Sequence, residues 1–275
     1  METKMKQTFF VILLLFVFIS SFSQTSWRKN EMEAKVVFQL PGDAAKLASL
    51  HFTGDIYKDH ALVYIIPDEF RNLKASGLDY TITKRNLNKY SKKLRKTRAG
   101  YHSYQEIIDL MDSLVTEFPQ ICQKQIYGTS IEGRELSALK ISDSVQFDQT
   151  EPEIAFDGSI HGDEIGAAEN LIRFARMLCT EYGNDPYITD LIDNREIWIY
   201  TLVNPDGHEA IVRYNSNGVD LNRDWGYMWD AWGYSPGAYS QPETKALRKF
   251  MLQNHFNIHM TYHSGTEAYL YPWYY

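Results

Sequence analysis

Glu153-Ile154-Ala155-Phe156-Asp157-Gly158-Ser159-Ile160, a mostly apolar run, leads directly into the polar turn His161-Gly162-Asp163-Glu164. Such a run is typical of a strand that is buried on both faces of a sheet. Residues 165–182 then show the apolar periodicity of a helix, which Gly183 ends. The segment therefore predicts a strand, a turn and a helix, which is the repeating unit of an α/β fold.

The same alternation continues on both sides of this unit. Further strands are predicted over residues 136–141, 195–203 and 258–262. Further helices are predicted over residues 104–117 and 242–254. Because helices alternate with strands, residues 99–275 predict an α/β domain with a mixed, mostly parallel sheet flanked by helices.

A smaller α+β unit is predicted before this domain, over residues 24–98. Its expected strands are residues 36–38, 61–66 and 78–83, and its helix, residues 68–74, stops at Gly77.

A basic run closes this smaller unit. Residues 84–98 contain eight Lys and Arg residues and no acidic residue. We interpret the run as an exposed connector that is cut by an activating protease specific for Lys or Arg, because exposed connectors are preferred sites of cleavage. The alternatives are a solvated linker and the surface of a helix.

The amino terminus has the pattern of an export signal. Lys4 and Lys6 precede an apolar run over residues 9–19, and the serine-rich stretch Ser20-Ser21-Phe22-Ser23 supplies a cleavage site before Gln24. Residues 1–23 therefore predict a signal peptide and a secreted or periplasmic protein. The apolar run is shorter than the roughly 20 residues of a membrane span, so no stable membrane anchor is expected.

Composition narrows the possible functions. The chain has 275 residues, a length that allows one or two domains. Its net charge is −7. The negative charge argues against a nucleic-acid partner, because phosphate binding needs a concentrated positive surface. Cys122 and Cys179 are the only cysteines, and in an exported protein they form either one disulfide or two separate buried thiols.

Three residues that can bind a metal follow predicted strands. His161 and Glu164 come after the strand over residues 153–160, and His263 comes after the strand over residues 258–262. Functional groups gather at the carboxyl ends of strands in open α/β sheets. Two His nitrogens and one Glu carboxylate leave a tetrahedral zinc ion one open position, which distinguishes catalytic from structural sites. Taken alone, the spacing of His161 and Glu164 is more readily a coincidence, and His263 is more readily a packed core histidine.

Two arginines, Arg213 and Arg223, can recognise a carboxylate. A planar guanidinium binds a free carboxylate through two parallel hydrogen bonds, and a cation near zinc stabilises an oxyanion. A surface salt bridge is the alternative for each arginine. Asn204-Pro205-Asp206-Gly207, which follows a buried strand, indicates a turn.

Together these motifs resemble the zinc metallocarboxypeptidases of the carboxypeptidase A/B type. The resemblance covers roughly residues 101–275, and the unit before the basic run resembles that family's activation segment more faintly. The motifs occur in the family's order, namely His161-Gly-Asp-Glu164, Asn204-Pro-Asp-Gly207, Gly218-Val-Asp-Leu-Asn-Arg223, Gln241-Pro-Glu-Thr244 and His263-Ser-Gly265.

The resemblance implies a metal site that holds one zinc ion per chain. His161, Glu164 and His263 would bind the zinc. Asp220 would accept a hydrogen bond from the other ring nitrogen of His161 and orient it. Asp224 stands where the family often has Asn, but this position is not a metal ligand.

The resemblance also implies a substrate site for peptides with a free carboxyl terminus. Arg213 would polarise the scissile carbonyl. Asn222, Arg223 and Ser264 would bind the terminal carboxylate. The activity implied is an exported, zinc-dependent carboxypeptidase that is made as a zymogen.

One part of the family's site has no match in this chain. The family's general base is a Glu well beyond the second zinc His, whereas Glu267, Tyr269 and Tyr271 follow His263 too closely to match that Glu or the substrate-capping Tyr. We therefore expect the chain to be an inactive fragment of a longer enzyme. The alternatives are a peptidase for cell-wall peptides, a zinc deacylase and a non-catalytic protein that binds zinc and carboxylates.

Overall fold

The computed structural model describes residues 28–97, 100–230, 232–264 and 269–270. The expected signal peptide, residues 1–23, lies outside the described residues, as do Glu267 and Tyr271. Within the described ranges, the helices are too short or too polar to cross a membrane.

Residues 28–97 form a first unit with a four-stranded antiparallel sheet in the order β2-β3-β1-β4. Buried and half-buried residues alternate along β3, so the buried face of the sheet packs against helices. The two helices pack against the buried face of the sheet through Leu47 and Leu73. The elements are β1 (Met32–Val37), α1 (Asp43–Ala48), β2 (Thr53–Ile56), β3 (His60–Ile65), α2 (Pro67–Ser76) and β4 (Asp79–Lys84).

Helix α3 (Leu87–Thr97) contains most of the basic run. Most of the basic run therefore forms a helix, which is one of the alternatives that we gave, and its cleavage by an activating protease stays a prediction. Lys and Arg are good helix formers, and a high charge does not prevent a helix whose long side chains reach water. Arg98, the last residue of the basic run, lies outside the described residues, as does Ala99.

Residues 100–264 form a second unit around a five-stranded sheet in the order β5-β6-β8-β7-β9. Strand β7 runs parallel to β8 and β9, whereas β6 runs antiparallel to β5 and β8. The prediction of a mixed sheet is confirmed, but the expectation that it is mostly parallel is not, because two pairings among the described strands are parallel and two are antiparallel. The strands are β5 (Cys122–Thr129), β6 (Glu135–Ile141), β7 (Glu153–Gly158), β8 (Glu196–Tyr200) and β9 (Phe256–Tyr262).

Helices cover both faces of this sheet. Buried apolar residues of α4, α5 and α6 pack on one face, where Cys122 and Cys179 lie side by side as free thiols. Leu247 and Phe250 of α8 pack on the other face against Trp198 and Tyr200. The helices are α4 (Tyr104–Glu117), α5 (Ile165–Glu181), α6 (Pro186–Asp193), α7 (Pro205–Ala210) and α8 (Pro242–Gln253).

Candidate metal centre and substrate-binding arginines

The candidate metal centre lies where two parallel strands end. Strands β7 and β9 are neighbours, and their last residues, Gly158 and Tyr262, are directly paired. His263 follows Tyr262 at once, and His161 lies three residues beyond Gly158. Because the strands are parallel, the two His residues emerge at the same edge of the sheet.

Three side chains converge at this edge. Nδ1 of His161 lies 2.9 Å from Oε1 of Glu164, and Nδ1 of His263 lies 2.9 Å from Oε2 of the same carboxylate. One donor atom from each residue falls within 4.8 Å of the other two. His161 is 2% exposed, whereas His263 is exposed, so the group is closed on one side and open to solvent on the other.

The donor set fits a zinc ion. Two imidazole nitrogens and one carboxylate are ligands that zinc accepts, and the open side leaves space for a further ligand. Glu164 is also the N-cap of α5, where the helix dipole favours its negative charge. Burial acts to raise the pKa of Glu164, but hydrogen bonds with His161 and His263 outweigh it and lower that pKa to about 2. The carboxylate is therefore ionised at neutral pH.

Asp220 connects His161 to one of the arginines. Its Oδ1 atom lies 3.2 Å from Nε2 of His161, the ring nitrogen that faces away from Glu164. Its Oδ2 atom accepts a hydrogen bond of 2.9 Å from Nε of Arg213. Burial opposes ionisation of Asp220, but the positive charge of Arg213 outweighs it and holds the pKa of this carboxyl well below its usual range.

A 3-10 turn positions the second arginine. The turn spans Leu221–Arg223, and Asp220 caps it by accepting a hydrogen bond of 2.9 Å from the backbone N–H of Asn222. The Asn222 and Arg223 side chains are half-buried, and Ser264 is exposed next to His263. Asp220 thus holds both the start of this turn and the side chain of Arg213.

The backbone of the metal-binding turn is held by Asn204, which the sequence indicated only as part of a turn. Its side-chain N–H group lies 3.3 Å from the carbonyl oxygens of Ile160 and Arg213. Its side-chain oxygen accepts a hydrogen bond of 2.9 Å from the N–H of Gly207 at the start of α7. A fully buried amide therefore joins the segments that carry His161 and Arg213.

The aspartate that departs from the family pattern has a structural explanation. Asp224 is fully buried and accepts hydrogen bonds from the N–H groups of Ser240 and Gln241 at 3.1 and 3.0 Å. The hydroxyl groups of Ser235, Ser240 and Thr244 also donate to it. Five donors satisfy a buried carboxylate, so Asp224 organises the loop before α8.

The first unit contacts both arginines through strand β2, which the sequence did not predict. The Asp55 carboxylate oxygens lie 3.4 and 3.5 Å from the terminal nitrogens of Arg213. The Gly54 carbonyl accepts a hydrogen bond of 3.4 Å from Arg223. The Arg213 guanidinium also lies over the ring of Tyr64, 5.3 Å from its centroid.

A mixed sheet with two imidazoles and a carboxylate at the carboxyl ends of parallel strands is an architecture suited to metal-dependent hydrolysis. Residues 107–275 match the family model described as zinc carboxypeptidase, so this chain belongs to the zinc carboxypeptidase family.

Two curated relatives show how far the sequence similarity extends. The chain is 35% identical over 148 residues to a zinc carboxypeptidase of Saccharothrix mutabilis subsp. capreolus, covering 49% of this chain and 34% of the relative. It is 32% identical over 205 residues to mouse carboxypeptidase A1, covering 64% of this chain and 47% of the relative. The chain therefore spans less than half the length of these two relatives.

A solved structure shares the fold. The carboxypeptidase A of Helicoverpa armigera superposes with a TM-score of 0.69 at 22% identity, covering 87% of this chain and 71% of that one. The 87% coverage is more than residues 100–275 could supply, so the likeness includes part of the first unit.

A glycine pair tests how tightly the metal-binding turn is built. A Cβ atom on Gly162 would lie 2.0 Å from the backbone of Gly207, whereas a Cβ atom on Gly166 in α5 would meet nothing within 4 Å. We expect Gly162→Ala to cost about 1–3 kcal/mol in the free energy of unfolding and to reduce zinc binding. Gly166→Ala should instead gain about 0.5–1 kcal/mol. Urea unfolding and metal analysis measure both effects, and equal behaviour of the two variants would contradict the close backbone approach.

Proposed function

We propose that this chain belongs to an exported, zinc-dependent carboxypeptidase that removes carboxyl-terminal residues from peptides and is made as a zymogen. The observation that carries the proposal is the shared position of the metal ligands and the arginines. His161, Glu164 and His263 converge at one sheet edge, and Asp220 connects that group directly to Arg213.

His161, Glu164 and His263 would hold the metal. When bound, zinc supplies a Lewis acid that polarises a carbonyl and activates water. Asp220 would keep the His161 ring oriented and its Nδ1 atom directed at the metal, because an outer partner fixes both the tautomer and the ring position.

The arginines would bind and orient the substrate. The buried guanidinium of Arg213 would polarise the scissile carbonyl and stabilise its negative charge as that charge develops. Arg223 would bind the terminal carboxylate with Asn222 and Ser264, since guanidinium matches a carboxylate in shape and charge. A requirement for this carboxylate restricts cleavage to the end of the peptide.

The first unit would act as the inhibitory segment of the zymogen. Asp55 presents a carboxylate to Arg213, and Gly54 presents a carbonyl to Arg223, so β2 occupies groups that the substrate needs. A protease specific for Lys or Arg would release the unit by cutting near Arg98. The signal-peptide pattern that residues 1–23 show in sequence supports a secreted or periplasmic location.

The metal assignment is tested by zinc affinity. We expect His263→Ala to weaken zinc binding strongly, because it removes a direct ligand. Loss of a residue that only supports a ligand typically weakens binding roughly 10- to 100-fold, and His263→Ala should exceed this range. His255→Ala, which removes an exposed His just before β9, should bind zinc like the parent. Competition with a chromophoric chelator measures both constants. Equal affinity of the two variants would show that His263 is not a ligand.

Carboxylate recognition is tested by activity on matched peptides. We expect the full-length, activated enzyme to cleave a peptide with a free carboxyl terminus and to leave its amidated form intact. Arg223→Gln should lose about 2–5 kcal/mol of transition-state stabilisation, seen as a lower kcat/KM. Arg176→Gln, an exposed change on α5, serves as the control. Equal cleavage of both peptides would contradict the exopeptidase, and zinc binding without any cleavage would favour a binding protein.

Docking of the first unit should depend on pH through Glu31. Burial raises the pKa of Glu31 to about 7, although Arg28 and the Tyr214 hydroxyl partly offset this effect. The docked state therefore binds an extra proton between about pH 4.5 and 7. Docking is strongest below this window and weakens as pH rises through about 7, by at most about 3 kcal/mol.

Gel filtration after limited trypsin cleavage measures this docking. More of the first unit should stay bound at pH 5.5 than at pH 8.5. Glu31→Gln should largely remove the difference, and Glu181→Gln, an exposed control, should keep it. The same retention at both pH values in the parent protein would show that Glu31 does not control docking.

A further inference from the structure

Strand β9 ends directly before His263 and has β7 as its only partner among the described strands. An irregularity interrupts that pairing near its start, where Glu153 pairs with Phe256 and Ile154 pairs with Ile258. One residue of β9, Asn257, is therefore extra at this point. Because of this extra residue, the pairing of Glu153 with Phe256 does not determine the register of the rest of β9. Other contacts must therefore determine that register.

Asp157 supplies such contacts on the metal side of the irregularity. This buried residue of β7 is directly paired with Thr261, whose hydroxyl donates a hydrogen bond of 2.9 Å to Oδ2 of Asp157. Nε2 of His259 lies 2.5 Å from the same oxygen. One carboxylate thus contacts two side chains of β9.

The surroundings of Asp157 make these contacts costly to lose. The residue is 2% exposed, and its neighbours on this face include the rings of Tyr127 and Tyr200. The His259 ring packs against Phe256 and Tyr200, with centroids 6.3 and 6.5 Å away. A buried carboxylate without its partners is unfavourable, so this site favours the register that supplies both Thr261 and His259.

The register of β9 sets the position of His263. A slip of one residue would turn the side chains of β9 to the opposite face. A slip of two residues would keep the face but move His263 by about 6.6 Å along the strand. Either change would break the 2.9 Å approach between Nδ1 of His263 and Glu164.

We infer that Asp157, with His259 and Thr261, is a positioning residue that holds β9 in the register required for His263 to reach the metal. This inference rests on the proposed zinc site of His161, Glu164 and His263. It assigns Asp157 no contact with substrate or metal. Its effect passes through the pairing of Asp157 with Thr261, four residues before His161 and two residues before His263.

Zinc titration of the full chain tests the inference. We expect Asp157→Asn and His259→Ala each to weaken zinc affinity roughly tenfold, the lower end of the range for residues that support a ligand. His259→Gln, which keeps a donor, should recover part of the loss, and Thr261→Val should lose less than His259→Ala. Tyr200→Phe is the matched control, because it changes a neighbouring buried group that makes no hydrogen bond to Asp157.

Two further measurements separate positioning from general stability. The melting temperature of the metal-free protein reports overall stability, and the visible absorption of the cobalt-loaded protein reports the geometry of the metal site. Weaker zinc binding with an altered cobalt spectrum in Asp157→Asn and His259→Ala supports the inference. Unchanged zinc affinity with a lower melting temperature overturns it. Unchanged affinity in His263→Ala as well would instead show that the proposed zinc site itself is wrong.

Discussion

The parallel pairing of β7 and β9 is the constraint on which the candidate site depends. It brings the residues after Gly158 and Tyr262 to one edge of the sheet, so His161 and His263 face a common point. Glu164 is held there because the same turn begins α5. No single loop carries this geometry, since the two imidazoles are about a hundred residues apart in the chain.

A network of buried charge surrounds the candidate metal site on its closed side. Asp220 and Arg213 are almost fully buried and contact each other, and such a pair is tolerated only when its hydrogen bonds are well satisfied. Asp220 accepts hydrogen bonds from the Arg213 guanidinium and the Asn222 backbone, and its Oδ1 atom also lies 3.2 Å from Nε2 of the His161 ring. The same carboxylate therefore sets the relative positions of the metal ligand and both arginines.

Much of this arrangement was predictable from the sequence, because it depends on local signals. The apolar run over residues 153–160 and the helix after Glu164 have clear periodicities, and the His residues follow strand ends. The order of short motifs was a strong indicator of the family, although each motif alone was weak.

The remaining features depend on contacts between distant segments. Strand β5 is mostly polar because it lies at the sheet edge, so its sequence gave little indication of a strand or of the antiparallel hairpin with β6. Strand β2 has only four residues and includes Gly54, and its contact with Arg213 arises from the docking of two units. The Asp157–His259 contact joins two strands whose pairing no local pattern reveals.

The contact of β2 with the arginines has a consequence for the timing of release. At 3.4–3.5 Å, these are long and individually weak polar contacts. In the proposed zymogen, the chain tethers the first unit to the second, which keeps the local concentration of Asp55 far above that of any free peptide. Cutting the tether would not remove the unit at once. It would expose the unit to dilution, so a cleaved molecule would free its arginines only at the rate at which the unit dissociates.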